Sequence, residues 1–262
     1  MILLAHRTGN ANSRQAAIAL LEQGALAECH YAIAWSALPW VSRFLGRSMR
    51  SQLERRLYPG LPSPKLRTHP WSEVGGLLCR EFNIPAISPW ICNYFNMDRA
   101  NRSFDFAVSH RLRSIKGLDG VYGYFDTSLH TFREAKRLGL CTIYELPTPY
   151  WRTTQHLVNT ARQARPDWAV TLPSSDAFAA SGLRRDEELQ IADLIIVPSD
   201  FVKDSLVEAP AFKASVEVVP YGCPEVAERD GRVPCDGMPL RLLFAGTVSQ
   251  SKGLADLLDA IA

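Results

Sequence analysis

The sequence lacks the features that mark several classes of protein. Its six cysteines form no C-x-x-C pair, and no group of cysteines and histidines has the spacing of a zinc site. No apolar run approaches the roughly 18 residues of a membrane span, and the N-terminus has no basic region typical of a signal peptide. These absences predict a cytoplasmic protein with reduced, buried thiols and with neither a metal nor another cofactor.

Charge is nearly balanced over the 262 residues, at 29 Lys and Arg against 27 Asp and Glu, but it is uneven locally. Residues 41–67 contain seven basic residues and one acidic residue, a net charge of +6 that leaves −4 for the rest. Between Val41 and Leu57, apolar residues recur at helical spacing, which predicts an amphipathic helix. Such a helix either packs on the domain or lies on the inner face of an anionic membrane, as a peripheral contact. Nucleic-acid binding is not expected, because nothing else in the chain is basic.

Short apolar runs alternate with helical patterns along the chain. The first unit runs from a strand over Met1 to Ala5 to a helix that Asn12 or Ser13 can cap and Gly24 can end. Further strands are predicted at residues 25–35, 120–125, 140–146, 193–199 and 215–222. This alternation predicts an α/β fold with a doubly wound, Rossmann-like parallel sheet whose two faces are covered by helices.

The proline-rich, charged residues 224–239 interrupt this alternation and read as a surface linker. Residues 1–223 then form one Rossmann-like domain. Residues 240–262 read as a buried strand, a glycine turn and an amphipathic helix, the opening unit of a second, incomplete domain.

Ligands in doubly wound folds bind at the carboxyl ends of the strands, which singles out four loops. Gly9, before the first helix, lets the backbone approach an anion, although an ordinary turn is as good an interpretation. The loop Tyr144 to Arg152 offers Glu145 and Arg152 as candidate catalytic residues on a segment stiffened by prolines. The alternative is a rigid turn whose aromatic residues pack on the core.

Two later loops are candidates for binding a phosphorylated ligand. Tyr221 and Gly222 end a strand, where a simple exit turn is an equal alternative. Gly246 and Thr247 precede Lys252, a cation at a helix start that favours a bound anion.

Three blocks in order, "EELQIADLIIVPSDFVKDSL", "VEVVPYG" and "LLFAGTVSQSKGLADLLDAI", resemble the family 4 glycosyltransferases, which have the GT-B fold. "IYELPTPYWR" is similar to the N-terminal domain of a bacterial branch of that family. The resemblance covers roughly residues 120–262. It implies that residues 1–223 form an acceptor domain and that residues 240–262 begin a domain for a nucleotide-sugar donor.

The resemblance further implies a metal-independent, retaining transfer of a sugar from the nucleotide-sugar to an acceptor hydroxyl, often lipid-linked. Lys252 matches the family's lysine on the donor diphosphate, whereas Thr247 stands where an arginine is usual. Tyr144 and Glu145 stand where many members have a histidine. Because the paired glutamates of the donor site are absent, the chain reads as truncated and inactive alone. The alternative is a non-catalytic, Rossmann-like module that binds a ligand or partner.

Overall fold

A computed structural model describes residues 1–34, 58–71, 75, 97–223 and 242–261, without the side chains of 175–180. The amphipathic segment between Val41 and Leu57 and the linker at 224–239 lie outside the described residues, so both remain predictions.

A seven-stranded sheet forms the centre of the molecule, in the order β3-β2-β1-β4-β5-β6-β7. Every neighbouring pair of strands is parallel. The strands are β1 Ile2–Ala5, β2 Leu26–Tyr31, β3 Leu66–Thr68, β4 Gly120–Tyr124, β5 Cys141–Glu145, β6 Leu194–Val197 and β7 Ser215–Val218. The predicted doubly wound, Rossmann-like α/β fold is therefore confirmed.

Helices connect these strands and cover the sheet. They are α1 Ala11–Glu22, α2 Met97–Leu112, α3 Leu129–Arg137, α4 Trp151–Ala164, α5 Ser175–Ile191, α6 Asp200–Ser205 and α7 Leu254–Ile261. Short 3-10 turns lie at Ser63–Lys65, Pro166–Thr171, Leu206–Glu208 and Gln250–Lys252. Asn10, rather than Asn12 or Ser13, caps α1, because its side-chain oxygen accepts the Ser13 N–H at 2.7 Å.

Successive side chains of each strand point to opposite faces of the sheet and pack in two separate cores. Leu3 and Ala5 of β1 face the larger core, to which α2, α3, α5 and α6 contribute. Leu4 faces the opposite side, where it packs with Cys29 and Tyr31 under α1. The expectation of buried thiols holds for Cys29 but not for two others, because Cys141 and Cys223 are exposed free thiols.

The C-terminal segment differs from its prediction at the strand. Residues 242–245 form no strand, and Leu243 is 92% exposed. Among the residues that the structure describes, no strand pairs with this segment, so its backbone gains no ladder of hydrogen bonds. The predicted helix is present as α7. The 3-10 turn Gln250–Lys252 before it packs on α4 and on the turn Pro166–Thr171, where the Ser249 hydroxyl donates to the Thr171 carbonyl at 2.9 Å.

Candidate functional site

Two clefts open at the carboxyl edge of the sheet. The strand order reverses between β1 and β4, which is the place where doubly wound folds bind their ligands. The switch-point cleft, of about 240 Å³, lies there, and the larger tyrosine cleft, of about 650 Å³, lies between α1 and the segment that follows β7. Pockets that hold small ligands have volumes of roughly 300–1,000 Å³. The tyrosine cleft lies within this range and the switch-point cleft slightly below it.

The tyrosine cleft is lined by polar and apolar residues on both of its sides. Its described lining consists of Ala11, Asn12, Gln15, Ala16, Ala19, Tyr122, Glu145, Ile196, Val219, Pro220, Tyr221, Gly222 and Cys223. Asn12 and Gln15 bring side-chain amides, which can both donate to and accept from hydroxyl groups. Glu145 is the single charged residue of this lining.

Glu145 is held by tyrosines from two parts of the chain. It ends β5 and is only 4% exposed. The Tyr122 hydroxyl of β4 donates to Oε2 at 2.7 Å, and the Tyr221 hydroxyl donates to Oε1 at 3.1 Å. Both oxygens of this side chain therefore act as hydrogen-bond acceptors. Two of the residues predicted from separate sequence blocks, Glu145 and Tyr221, therefore meet in one cleft.

Tyr124 adds a third phenol next to this carboxylate. It pairs with Glu145 across β4 and β5, and its buried hydroxyl has no hydrogen-bond partner in the described part of the chain. Burial, and then the negative charge of Glu145, raises the pKa of Tyr122, Tyr124 and Tyr221. All three hydroxyls consequently remain protonated donors at neutral pH.

The switch-point cleft contains a neutral histidine. Its described lining is His6, Arg7, Thr8, Met97, Asn101, Tyr124, Phe125, Asp126 and Thr127. Burial, with a smaller effect of the Arg7 charge, lowers the pKa of His6 to about 4. The Gly9 N–H donates to His6 Nδ1 at 2.7 Å, so the proton of the neutral ring is on Nε2. His6 therefore suits hydrogen bonding to a ligand better than it suits proton abstraction.

The protein's own carboxylates fill the N-terminus of α3, beside the switch-point cleft. Glu188 accepts the N–H groups of Ser128 and Leu129, at 2.9 and 3.1 Å. Asp105 accepts those of His130 and Thr131, both at 2.8 Å. The N-terminus of α3 is thus not available to a phosphate. The N-terminus of α1 lies beside both clefts and is not occupied in this way by Glu188 or Asp105.

Arg152 lies away from Glu145, although the sequence placed them in one loop. Its Nη2 donates to Asp186 Oδ2 of α5 at 3.0 Å, and its guanidinium stacks over the Trp151 ring at 4.5 Å. Trp151 Nε1 also donates to Asp186, at 2.7 Å, as does the Tyr150 hydroxyl. This arrangement joins α4 to α5, and Arg152 lines neither cleft.

The predicted donor-binding glycines and lysine fall in different places. Gly9, with φ +66°, packs under Tyr58, where a Cβ would lie 1.8 Å from the Tyr58 hydroxyl. Gly222 lines the tyrosine cleft, but a Cβ there would meet no atom of the described residues within 4 Å, so no described contact requires glycine at this position. Gly246, Thr247 and Lys252 line neither cleft, because their segment packs at the tip of α4.

Sequence reasoning missed Tyr122 and Tyr124. Their signal was present in the strand "GVYGY", where residues two apart share one face of the sheet. No group of three or more potential metal ligands is found in the described ranges. Likewise, none of the described helices is long and apolar enough to cross a bilayer.

Comparison with known proteins gives little beyond the architecture. No protein-family model matches the chain, and no curated protein matches its sequence. One similar solved structure is a complex of 3,4-dichloroaniline with a UDP-glucosyltransferase from Polygonum tinctorium capable of glucosylating indoxyl, at a TM-score of 0.39 and 11% identity. The match covers 84% of this chain and 52% of that one, so the chain spans about half of that structure. A likeness this weak carries no functional conclusion, and membership of family 4 stays a prediction.

Proposed function

We propose that this chain is the acceptor-binding part of a glycosyltransferase. A hydroxyl-bearing acceptor occupies the tyrosine cleft, and a nucleotide-sugar is the donor. The observation that carries the proposal is the contact between Glu145 and Tyr221, which brings two loops of the family-4-like blocks into one cleft at the carboxyl edge of the sheet. Retention of configuration, a cytoplasmic location and a membrane contact through residues 41–57 belong to this proposal as well.

The donor is held mainly outside the described clefts in this proposal. Gly246, Thr247 and Lys252 line neither of them, and the N-terminus of α3 already binds Glu188 and Asp105. We therefore expect the chain alone to leave a panel of nucleotide-sugars unconsumed when hydroxyl-bearing acceptors are supplied. Release of nucleoside diphosphate by this chain would contradict that part of the proposal.

Acceptor binding is tested with an array of immobilised saccharides, including lipid-linked ones. Binding should be abolished by Gly222→Trp, which fills the tyrosine cleft at a position where the backbone tolerates a side chain. Val170→Trp is the matched control, because Val170 is 92% exposed and lines neither cleft. If no saccharide binds, or if Gly222→Trp binds as well as the unchanged chain, the tyrosine cleft is not an acceptor site.

A non-catalytic binding module is the second candidate, and the separation of Lys252 from both clefts favours it. The two functions differ in one measurement. Radiolabelled sugar should be transferred from a nucleotide-sugar to an array-positive saccharide by a polypeptide that joins this chain to a complete donor-binding domain, and not by its Gly222→Trp variant. Saccharide binding without any transfer by that polypeptide would assign the chain as a binding module.

A further inference from the structure

The tyrosine cleft contains a buried carboxylate without a counter-ion. Six acidic side chains in the described part of the chain are buried: Glu28, Asp105, Glu134, Glu145, Asp186 and Glu188. Five of them form an ion pair with arginine, through Arg111, Arg184, Arg137, Arg152 and Arg184 respectively. Glu145 is the exception, because it forms no ion pair with a Lys, Arg or His of the described ranges and its hydrogen-bond partners are tyrosines.

This exception has an energetic meaning. A charge removed from water is costly unless it is paired, and neutral hydrogen-bond donors offset only part of that cost. Tyr122 and Tyr221 supply two such donors. A full positive charge is what the site lacks, and the cleft beside Glu145 is open to solvent-borne ligands.

The rest of the cleft would accept a cation and would disfavour an anion. None of the residues that are described in its lining is Lys, Arg or His. Tyr122 and Tyr221 add aromatic rings to the lining, and aromatic rings together with a carboxylate are the usual surroundings of a bound ammonium group. Asn12 and Gln15, on the α1 wall, provide amides for neighbouring hydroxyl groups.

We propose that the tyrosine cleft recognises an amine-bearing polyhydroxyl acceptor, such as an amino sugar, and that Glu145 binds its ammonium group. This inference rests on the proposed function for the identity of the ligand as an acceptor. It changes the role of Glu145 from catalysis to recognition. Each carboxylate oxygen already accepts one hydrogen bond from a tyrosine hydroxyl and retains a further lone pair for an ammonium donor.

The test compares ligands that differ in one charge. Glucosamine, N-acetylglucosamine and glucose are titrated into the chain, and dissociation constants are measured by saturation-transfer NMR. Glucosamine should bind about ten- to a hundredfold more tightly than the two neutral sugars, the scale of one hydrogen bond to a charged group. Glu145→Gln should remove this preference, while Glu217→Gln, at an exposed carboxylate of β7 outside the cleft, should keep it.

Tyr221→Phe is a second variant that keeps the proposal testable if Glu145→Gln fails to fold. It removes one donor to the carboxylate but leaves the negative charge and the aromatic ring, so the preference for glucosamine should persist. Loss of the preference in Tyr221→Phe as well as in Glu217→Gln would show that it does not come from the charge of Glu145, and would overturn the proposal.

The outcomes separate this inference from the function on which it rests. Equal binding of glucosamine and the neutral sugars would overturn ammonium recognition and leave the acceptor site standing. Binding of methylammonium that depends on Glu145, with no sugar bound, would support the cation site and contradict the acceptor function. If neither methylammonium nor glucosamine binds, Glu145 is not a cation site.

Discussion

At the scale of single residues, Asp186 shows how a predicted catalytic residue acquires a structural role. Arg152 was predicted to be catalytic because it lies with Glu145 in a loop that prolines stiffen at the carboxyl end of a strand. The sequence could not show that Asp186, on a helix that begins more than twenty residues later, would take up its guanidinium. The same carboxylate accepts hydrogen bonds from the Tyr150 hydroxyl and from Trp151 Nε1.

Asp186→Ala should lower the free energy of unfolding by about 2–3 kcal/mol, because it leaves three donors near the core without their acceptor. Arg152→Ala should cost about 1 kcal/mol, since this side chain is 40% exposed and its loss still leaves Asp186 two donors. Urea unfolding measures both values.

The control for this pair is Arg102→Ala, which breaks an exposed ion pair with Asp98 within α2. It should change the free energy of unfolding by less than about 0.5 kcal/mol. Equal costs for Asp186→Ala and Arg102→Ala would show that the Asp186 cluster does not hold α4 to α5.

At the scale of elements, α3 can pack closely on β4 only because Gly123 has no side chain. A Cβ there would lie 2.3 Å from Ser128 Oγ and 2.9 Å from the Phe132 ring. Ser128 is fixed by its own hydrogen bond to the Tyr124 carbonyl, so it cannot move aside without losing a bond. Close packing at this position is therefore part of the fold.

Gly123→Ala should destabilise the protein by about 1–3 kcal/mol, the usual cost of overpacking a core. Gly222→Ala is the matched control and should be nearly neutral, because its Cβ would meet no atom within 4 Å in the part of the chain that the structure describes. Thermal unfolding followed by circular dichroism compares the two. A Gly123→Ala variant as stable as the control would mean that α3 shifts freely on the sheet.

Much of the fold could be predicted from the sequence, because buried parallel strands are continuous apolar runs closed by glycine or proline. Gly24 and Gly139, with φ of +66° and +73°, follow the ends of α1 and α3. A glycine at this position is the usual end of a helix, as the sequence predicted for α1. β3 was missed because it has only three residues, in a basic segment. The strand predicted before Gly246 was wrong, because strand formation requires a neighbour that an apolar pattern cannot supply.

The candidate site was less predictable than the fold. Glu145 and Tyr221 were found because each ends a strand in a chemically unusual loop. Their contact, and the approach of Tyr122, depend on the strand order and on the path of the chain after β7, which a pattern of residues does not contain.

At the scale of the whole molecule, buried neutral histidines make stability depend on pH. Burial lowers the pKa of His6 to about 4 and, with the nearby His30, lowers that of His69 to about 4. Between pH 6.5 and 4 the unfolded chain binds protons that the folded chain does not, so these groups stabilise the fold above that window and lose their contribution as pH falls through it. Burial raises the pKa of Glu188 even though Arg184 lies beside it, and a raised carboxyl pKa contributes to the pH dependence with the opposite sign.

The histidine contribution is therefore read from a difference between variants. From pH 7 to pH 4.5, the double variant His6→Gln, His69→Gln should lose less unfolding free energy than the unchanged chain, by about 2 kcal/mol per histidine after discounting for partial exposure. His110→Gln, at an exposed position, should leave the pH profile unchanged. Parallel profiles for the double variant and the unchanged chain would rule out this linkage.

The position of β1 in the middle of the sheet sets an order of events during synthesis. Ile2 pairs with Leu26 on one side, but its other neighbour is Gly120. β1 therefore keeps one edge open until Tyr124 has also emerged from the ribosome. Throughout that interval its apolar residues lack the larger of their two cores, and the nascent chain is exposed to association with other chains. β1 is thus enclosed only after β2, β3 and β4 have followed it, across more than a hundred residues of chain.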